Sequence, residues 1–439
     1  MPMTDFCGLP LTATAEVVDQ WDAAVEEILG YRGDAGLMEL VEQVPDLAIG
    51  HALLAALVDL GSEVDADAEL AEAERRVAGG SERERAFVAT TRAAHDSDRW
   101  TGPYPWETYL AEYPSDLVAR FMVLLQSNFS FRTDVRAAAQ RIGEEGLAAN
   151  GRHPFVVSLL SMVAQERGDL DTADELAQEA LGQRPGYVPA GHVRSHVFFE
   201  SGAHDTGLAW LTNWVDTEIP EEFYYRPHLS WHAGLHELAL DDRDAVLRRL
   251  REIAGSDASR YWLTSNGATY LWRCKLTGLV AADSDPSDGA IADGARGMVG
   301  EPPVLFAGWN GVVALGAVGD VATLRAVAAG GTTSTAPGVR EVLPVLAGAV
   351  ADLLEDQPER AADAMLRLRG DQYRLGGSRA QREVLEDTLL AALVRAGRTE
   401  AAARVLLERL DRRPSATDRR TLDLVSLPPV ERRPATQLD

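Results

Sequence analysis

One repeat governs what this chain can become. From Pro154 to Gly186 small, apolar and turn residues fall in a fixed order. Leu160 and Ser161 hold packing positions on a first helix, Gly168 takes the turn, Ala173 and Ala180 lie on a second helix, and Pro185 ends it. Small residues at Ala173 and Ala180 let two antiparallel helices approach closely, and a proline cannot continue a helix. Gly202 follows Gly168 by about 34 residues, a helical-repeat period, and again separates two apolar helical stretches, Val188–Ser201 and Asp205–Val215.

This is tetratricopeptide spacing, and the rest of the chain continues it. Helical periodicity marks Ala15–Leu29 and pairs Pro45–Leu60 with Asp65–Ala78. Ser81–His95 leads through a loop at Asp96–Tyr104 to Glu107–Glu112. Ser115–Gln126 pairs with Asp134–Ala149, and His228–Leu240 with Arg243–Ile253. Later come Leu343–Leu354 with Pro358–Leu368, and Arg379–Ala396 with Thr399–Leu410. No period-two run bracketed by hairpin turns interrupts them. Two segments, Ala281–Pro303 and Gly330–Gly338, are rich in turn residues and read as loops. The expected fold is all-α: an α-solenoid of tetratricopeptide-like hairpins forming a superhelix with a concave central pocket. It should be one solenoid over residues 1–412, with an extended or partly disordered tail over 413–439.

Charge narrows the partners. The net charge is -26, from 42 basic and 68 acidic residues. Nucleic acid needs clustered basic side chains, and anionic lipid surfaces need the same, so neither partner is expected. Lys275 is the only lysine among the basic residues. That skew toward arginine suits a GC-rich bacterial genome, and it excludes a phosphate-binding G-x-x-x-x-G-K-[ST] loop. Cys7 and Cys274 are the two cysteines, too few for a disulfide framework or a four-cysteine zinc site. No secretion signal and no membrane span are read, which makes the cytoplasm the expected location.

The histidines carry the candidate chemistry. Of nine, six fall between His192 and His236. His192, His196 and Glu200 are four apart and share one helix face, and His228, His232 and His236 repeat that spacing. In tetratricopeptide geometry the first set holds the fifth, ninth and thirteenth positions of a first helix, which look into the groove. Aromatic residues gather in the same part of the sequence: Trp210, Trp214, Tyr224, Tyr225, Trp231, Trp262, Tyr270 and Trp272. Three readings follow. The imidazoles are hydrogen-bonded packing residues; or they form a polar pocket for an anionic or amide ligand, helped by Arg194 and Arg226; or they do chemistry. In the last case His192, His196, His228 and His232 are the catalytic candidates. No cofactor is required, the alternative being a divalent metal on His192, His196 and His232.

Several stretches resemble the tetratricopeptide repeat protein 38 family: Gly8–Thr12 at the start, GHVRSHV at Gly191–Val197, HLSWH at His228–His232, YLWR at Tyr270–Arg273, and LGGSRAQREV at Leu375–Val384. The resemblance runs to about Pro414 and implies the repeat fold. The chain departs from the family pattern at Phe199, at Leu229 and Ser230, and at Gly308, Trp309 and Asn310. Independently of any family, Ser378 and Gln381 have capping-box spacing, and Gly376 and Gly377 permit backbone that other residues avoid. The expected ligand-binding set is His192, His196, Glu200, His228, Trp231, His232, His236, Trp272, Arg273 and Arg382. The expected function is binding of a small molecule or short peptide in a concave, His- and aromatic-lined pocket. The alternatives are an enzyme using that pocket, with a biosynthetic role among its uses, and a protein–protein scaffold. Sequence gives no oligomeric state.

Overall fold

The computed structural model describes residues 3–57, 64–97, 104–129, 135–255, 262–280, 288–336, 338–370 and 375–426. It is all-α. Among the described residues the strands are Met3–Thr4 and Pro10–Leu11, which pair antiparallel with Met3 opposite Leu11. The sequence reading treats residues 1–412 as one body. Tertiary contacts divide the chain into two compact units, Met1–Arg194 and Ser195–Asp439, with the division inside helix Val188–Ser201.

In the first unit, helices pack in sequence order around a core that includes Trp21, Phe87, Trp106, Phe121 and Phe155. Deeply buried charge ties the N-terminal hairpin to this core. The Arg83 guanidinium donates to Asp116 at 2.8 Å and to the Tyr109 hydroxyl at 3.1 Å, and stands 3.5 Å from Asp5. The two helices read within Pro154–Gly186 form as their residues dictate. Helix Pro154–Arg167 stops at Gly168, whose φ of 84° is a left-handed cap. Asp169 caps the next helix, Leu170–Gln183, by accepting from Thr172 N–H. The Ser161 hydroxyl donates to the Ala173 carbonyl at 2.6 Å, and Ala173, Ala177 and Ala180 are wholly buried where the two helices meet.

The second unit again stacks successive helices. His204–Glu218 packs on Arg226–Ala239, and that on Arg243–Gly255. A π-helical turn at Leu263–Gly267 leads into Ala268–Leu276. Leu305–Val318, Val339–Leu354, Pro358–Leu368, Arg379–Arg395, Thr399–Arg412 and Ala416–Ser426 follow. The predicted capping box forms: Ser378 Oγ accepts from Gln381 N–H at 3.2 Å, and Gln381 Oε1 accepts from Ser378 N–H at 2.9 Å. Gly377 has φ +72°, and a Cβ there would stand 2.4 Å from the Phe306 ring, so glycine is required twice over.

One loop expectation is corrected. Within Ala281–Pro303, Asp288–Gly300 is helical. Its glycines disfavour a helix, but Ile291, Ala295 and Val299 make a buried stripe at four-residue spacing that packs on Leu305–Val318. The expected tail also carries a helix, Ala416–Ser426, started where Ser415 Oγ accepts from Asp418 N–H and anchored by Asp418 on Arg409 at 2.9 Å. Residues 427–439, the remainder of that tail, lie outside the described residues, as do residues 98–103 of the loop expected at Asp96–Tyr104 and residues 281–287 of the loop expected at Ala281–Pro303.

Candidate functional site

Helix Arg226–Ala239 has proline at its second residue, where the missing N–H is harmless. Its four-residue spacing stacks His228, His232 and His236 along one face, and all three are buried. The Nε2 atoms of His228 and His232 are 3.1 Å apart, and Asn266 Nδ2 lies 2.7 Å from His228 Nδ1. An amide nitrogen only donates, so Nδ1 of His228 accepts and its proton sits on Nε2. That N–H donates to His232 Nε2, which places the His232 proton on Nδ1. Asn266 comes from the π-helical turn, a widened backbone often found at functional sites.

A third imidazole joins from helix Val188–Ser201. His196 meets His232 edge to face, ring centroids 4.4 Å apart at 76°. Burial chiefly holds its pKa down to about 3, with His228, His236 and the Arg382 guanidinium adding to the effect. His196 is therefore neutral at ordinary pH. Its neighbour one turn earlier, His192, is half-buried on the same helix.

Aromatic rings enclose the pair. His228 stacks on Trp231 at 5.5 Å and 16°, with Tyr225 at 4.8 Å and Trp262 at 5.3 Å. Tyr225 and Trp262 are half-buried and meet edge to face at 5.3 Å, whereas Trp231 is fully buried. Among the described residues the Trp231 indole N–H has no hydrogen-bond partner. An unsatisfied buried donor costs on the order of 1–3 kcal/mol, and it favours a guest with an acceptor atom.

His236 belongs to a different cluster. Its Nδ1 is 3.1 Å from Nδ1 of His204, whose Nε2 donates to the Pro414 carbonyl at 3.0 Å. That fixes His236 as the Nδ1–H donor and leaves its Nε2 an acceptor, buried against Gly207 and without a partner among the described residues. Burial lowers the His236 pKa to about 3, helped by His204 and Arg413.

The remaining predicted ligand groups are engaged in holding helices together. Glu200 pairs with Arg379 at 3.4 Å. Trp272 donates to Thr388 Oγ1 at 2.9 Å, and Arg273 holds Asp387 at 2.9 Å and the Ala380 carbonyl at 2.8 Å. Arg382 donates to the Gly377 carbonyl at the start of its own helix. Arg194 pairs with Asp174, and Arg226 bonds Val215, Ile219 and Asp216. Trp210 and Trp214 stack on each other at 5.5 Å. Tyr224 is exposed, and Tyr270 packs beneath Gly234, where a Cβ would stand 2.7 Å from its ring.

The sequence reading missed Asn266, which carries no motif, and His204, which continues the four-residue spacing of His192 and His196 but stands at the start of the next helix. It also missed the buried ion cluster in which Glu383 accepts from Arg409 at 3.0 Å and from Arg413 at 2.6 Å. Arg413 lies over the Phe199 ring at 4.2 Å. In the first unit a groove of about 310 Å³ is lined by residues including Leu110, Ile142 and the Glu107–Arg141 pair, none of them expected as site residues. No family model matches the chain.

Proposed function

We propose that this chain is a tetratricopeptide-type helical-repeat protein, similar to the repeat protein 38 family, that binds a small planar molecule or the planar end of a short peptide. The binding groups are His228, His232, Trp231, Tyr225 and Trp262. One observation carries this reading: two buried imidazoles, their tautomers set by Asn266, sit among aromatic rings of which two reach toward the surface. The indole N–H of Trp231 is a buried donor, so the guest carries an acceptor such as a carboxylate or amide oxygen. Flat apolar walls with a few directed polar groups are the usual make-up of a small-molecule site. A cytoplasmic location belongs to the same proposal.

Calorimetric titration with benzoate and benzamide tests it. One equivalent of either should bind, and His232→Gln should weaken binding at least tenfold with the melting temperature little changed. Absence of binding by both probes, or binding indifferent to His232, contradicts the proposal.

The chain Asn266–His228–His232 also favours a second reading, an enzyme that moves a proton through paired imidazoles. In that reading His232 is the group that exchanges a proton with substrate, and His228 orients it.

A further inference from the structure

The pair at His228 and His232 has a second use that needs no organic guest. Two nitrogen ligands on one tetrahedral ion, each at about 2.0–2.1 Å, lie about 3.4 Å from each other. The Nε2 atoms of His228 and His232 stand 3.1 Å apart on one helix, with both rings buried. A metal-bound imidazole needs a partner on its other nitrogen to fix its orientation. Asn266 supplies one: its amide is 2.7 Å from His228 Nδ1, and a half-turn of the amide presents Oδ1 to an Nδ1–H in place of Nδ2. The surrounding rings of Trp231, Tyr225 and Trp262 give the pair a largely apolar shell, which lowers the local dielectric and favours ligation.

We infer that His228 and His232 chelate one divalent transition ion through their Nε2 atoms, with Asn266 holding the His228 ring from behind. All-nitrogen donation by imidazole selects zinc, cobalt, nickel or copper over magnesium or calcium. Two imidazoles leave coordination positions open, and water or the carboxylate of a guest fills them. Binding moves the His228 proton from Nε2 to Nδ1 and removes none from His232, so uptake at neutral pH releases no proton from the pair.

The test uses the full chain freed of metal by chelator and then titrated with Co²⁺, read by its visible spectrum, with zinc stoichiometry measured by elemental analysis. One equivalent is expected. His228→Gln and His232→Gln should each weaken uptake at least 100-fold, while His95→Ala should leave it unchanged. Asn266→Leu keeps both ligands and should weaken uptake roughly 10- to 100-fold, whereas Asn266→Asp should restore or tighten it. That variant guards against a folding defect in the histidine changes. Less than a tenth of an equivalent on the wild-type chain, or uptake unaffected by the histidine and Asn266 changes, overturns the inference. Benzoate binding by metal-free protein without metal uptake would sink the chelate alone. Metal uptake without benzoate or benzamide binding would sink only the organic-ligand reading.

Discussion

Nε2 of His228 and Nε2 of His232 face each other at 3.1 Å across one helical turn, and only one of them can carry the proton between them. In the orientation seen, the Asn266 amide nitrogen donates to His228 Nδ1 and so puts that proton on His228 Nε2. A residue without any sequence motif thus sets the protonation pattern of the pair that the sequence does reveal. Asn266→Leu should release that choice. The His228 and His232 ring nitrogens should then exchange between tautomers, visible as averaged ¹⁵N shifts, where the wild type gives two distinct states. Identical spectra would mean that Asn266 does not orient the pair.

Acid should unfold the second unit through His196 and His236. Both have folded pKa values of about 3 because burial disfavours the charged ring, against about 6.5 in an unfolded chain. Above pH 6.5 both states are neutral and pH has no effect through these groups. Below it the unfolded chain takes up protons that the folded chain refuses, so stability falls by about 1.4 kcal/mol per pH unit per group until pH nears 3. Urea unfolding at pH 7.5, 6 and 5 checks this. A flat stability across that range would show the rings accessible to protons.

Glu383 is surrounded by Arg409 and Arg413, which hold its carboxyl well below the usual range against the opposing effect of burial. Glu383→Gln leaves two buried guanidinium groups with less compensation. Breaking a buried pair typically costs about 3–5 kcal/mol, and a drop of that size should appear in chemical unfolding. A loss below about 1 kcal/mol would show that the cluster rearranges freely.

Gly377→Ala should destabilise by on the order of 1–3 kcal/mol, since it combines a left-handed backbone with a clash against Phe306. Gly397→Ala meets nothing within 4 Å at a similar φ of +70° and isolates the backbone part. Thermal melts of the two should differ, with Gly377→Ala the lower.

Much of the helix pattern was legible because burial in a stacked-helix protein follows local periodicity. Gly168, Ala173, Ala180 and the Ser378–Gln381 cap act within a few residues of themselves, and each sits where its chemistry predicts. Asp288–Gly300 was hidden because tertiary packing of Ile291, Ala295 and Val299 outweighs poor local propensity. Four-residue spacing showed that His228, His232 and His236 share a face, but not that His236 turns to His204 while the other two pair. Arg273 and Arg382 read equally well as ligand groups or as helix ties, since their nearest acceptors, Ala380 O and Gly377 O, are backbone atoms that no side-chain pattern records.

The most direct measurement is a benzoate titration of the ¹⁵N-labelled protein, following the ring signals of His228 and His232 and the indole signal of Trp231. These three should move together and saturate at one equivalent, while the His204 and His236 signals stay fixed. Benzoate shifts confined to other residues, or no shift in the three as benzoate reaches saturating concentration, would contradict it.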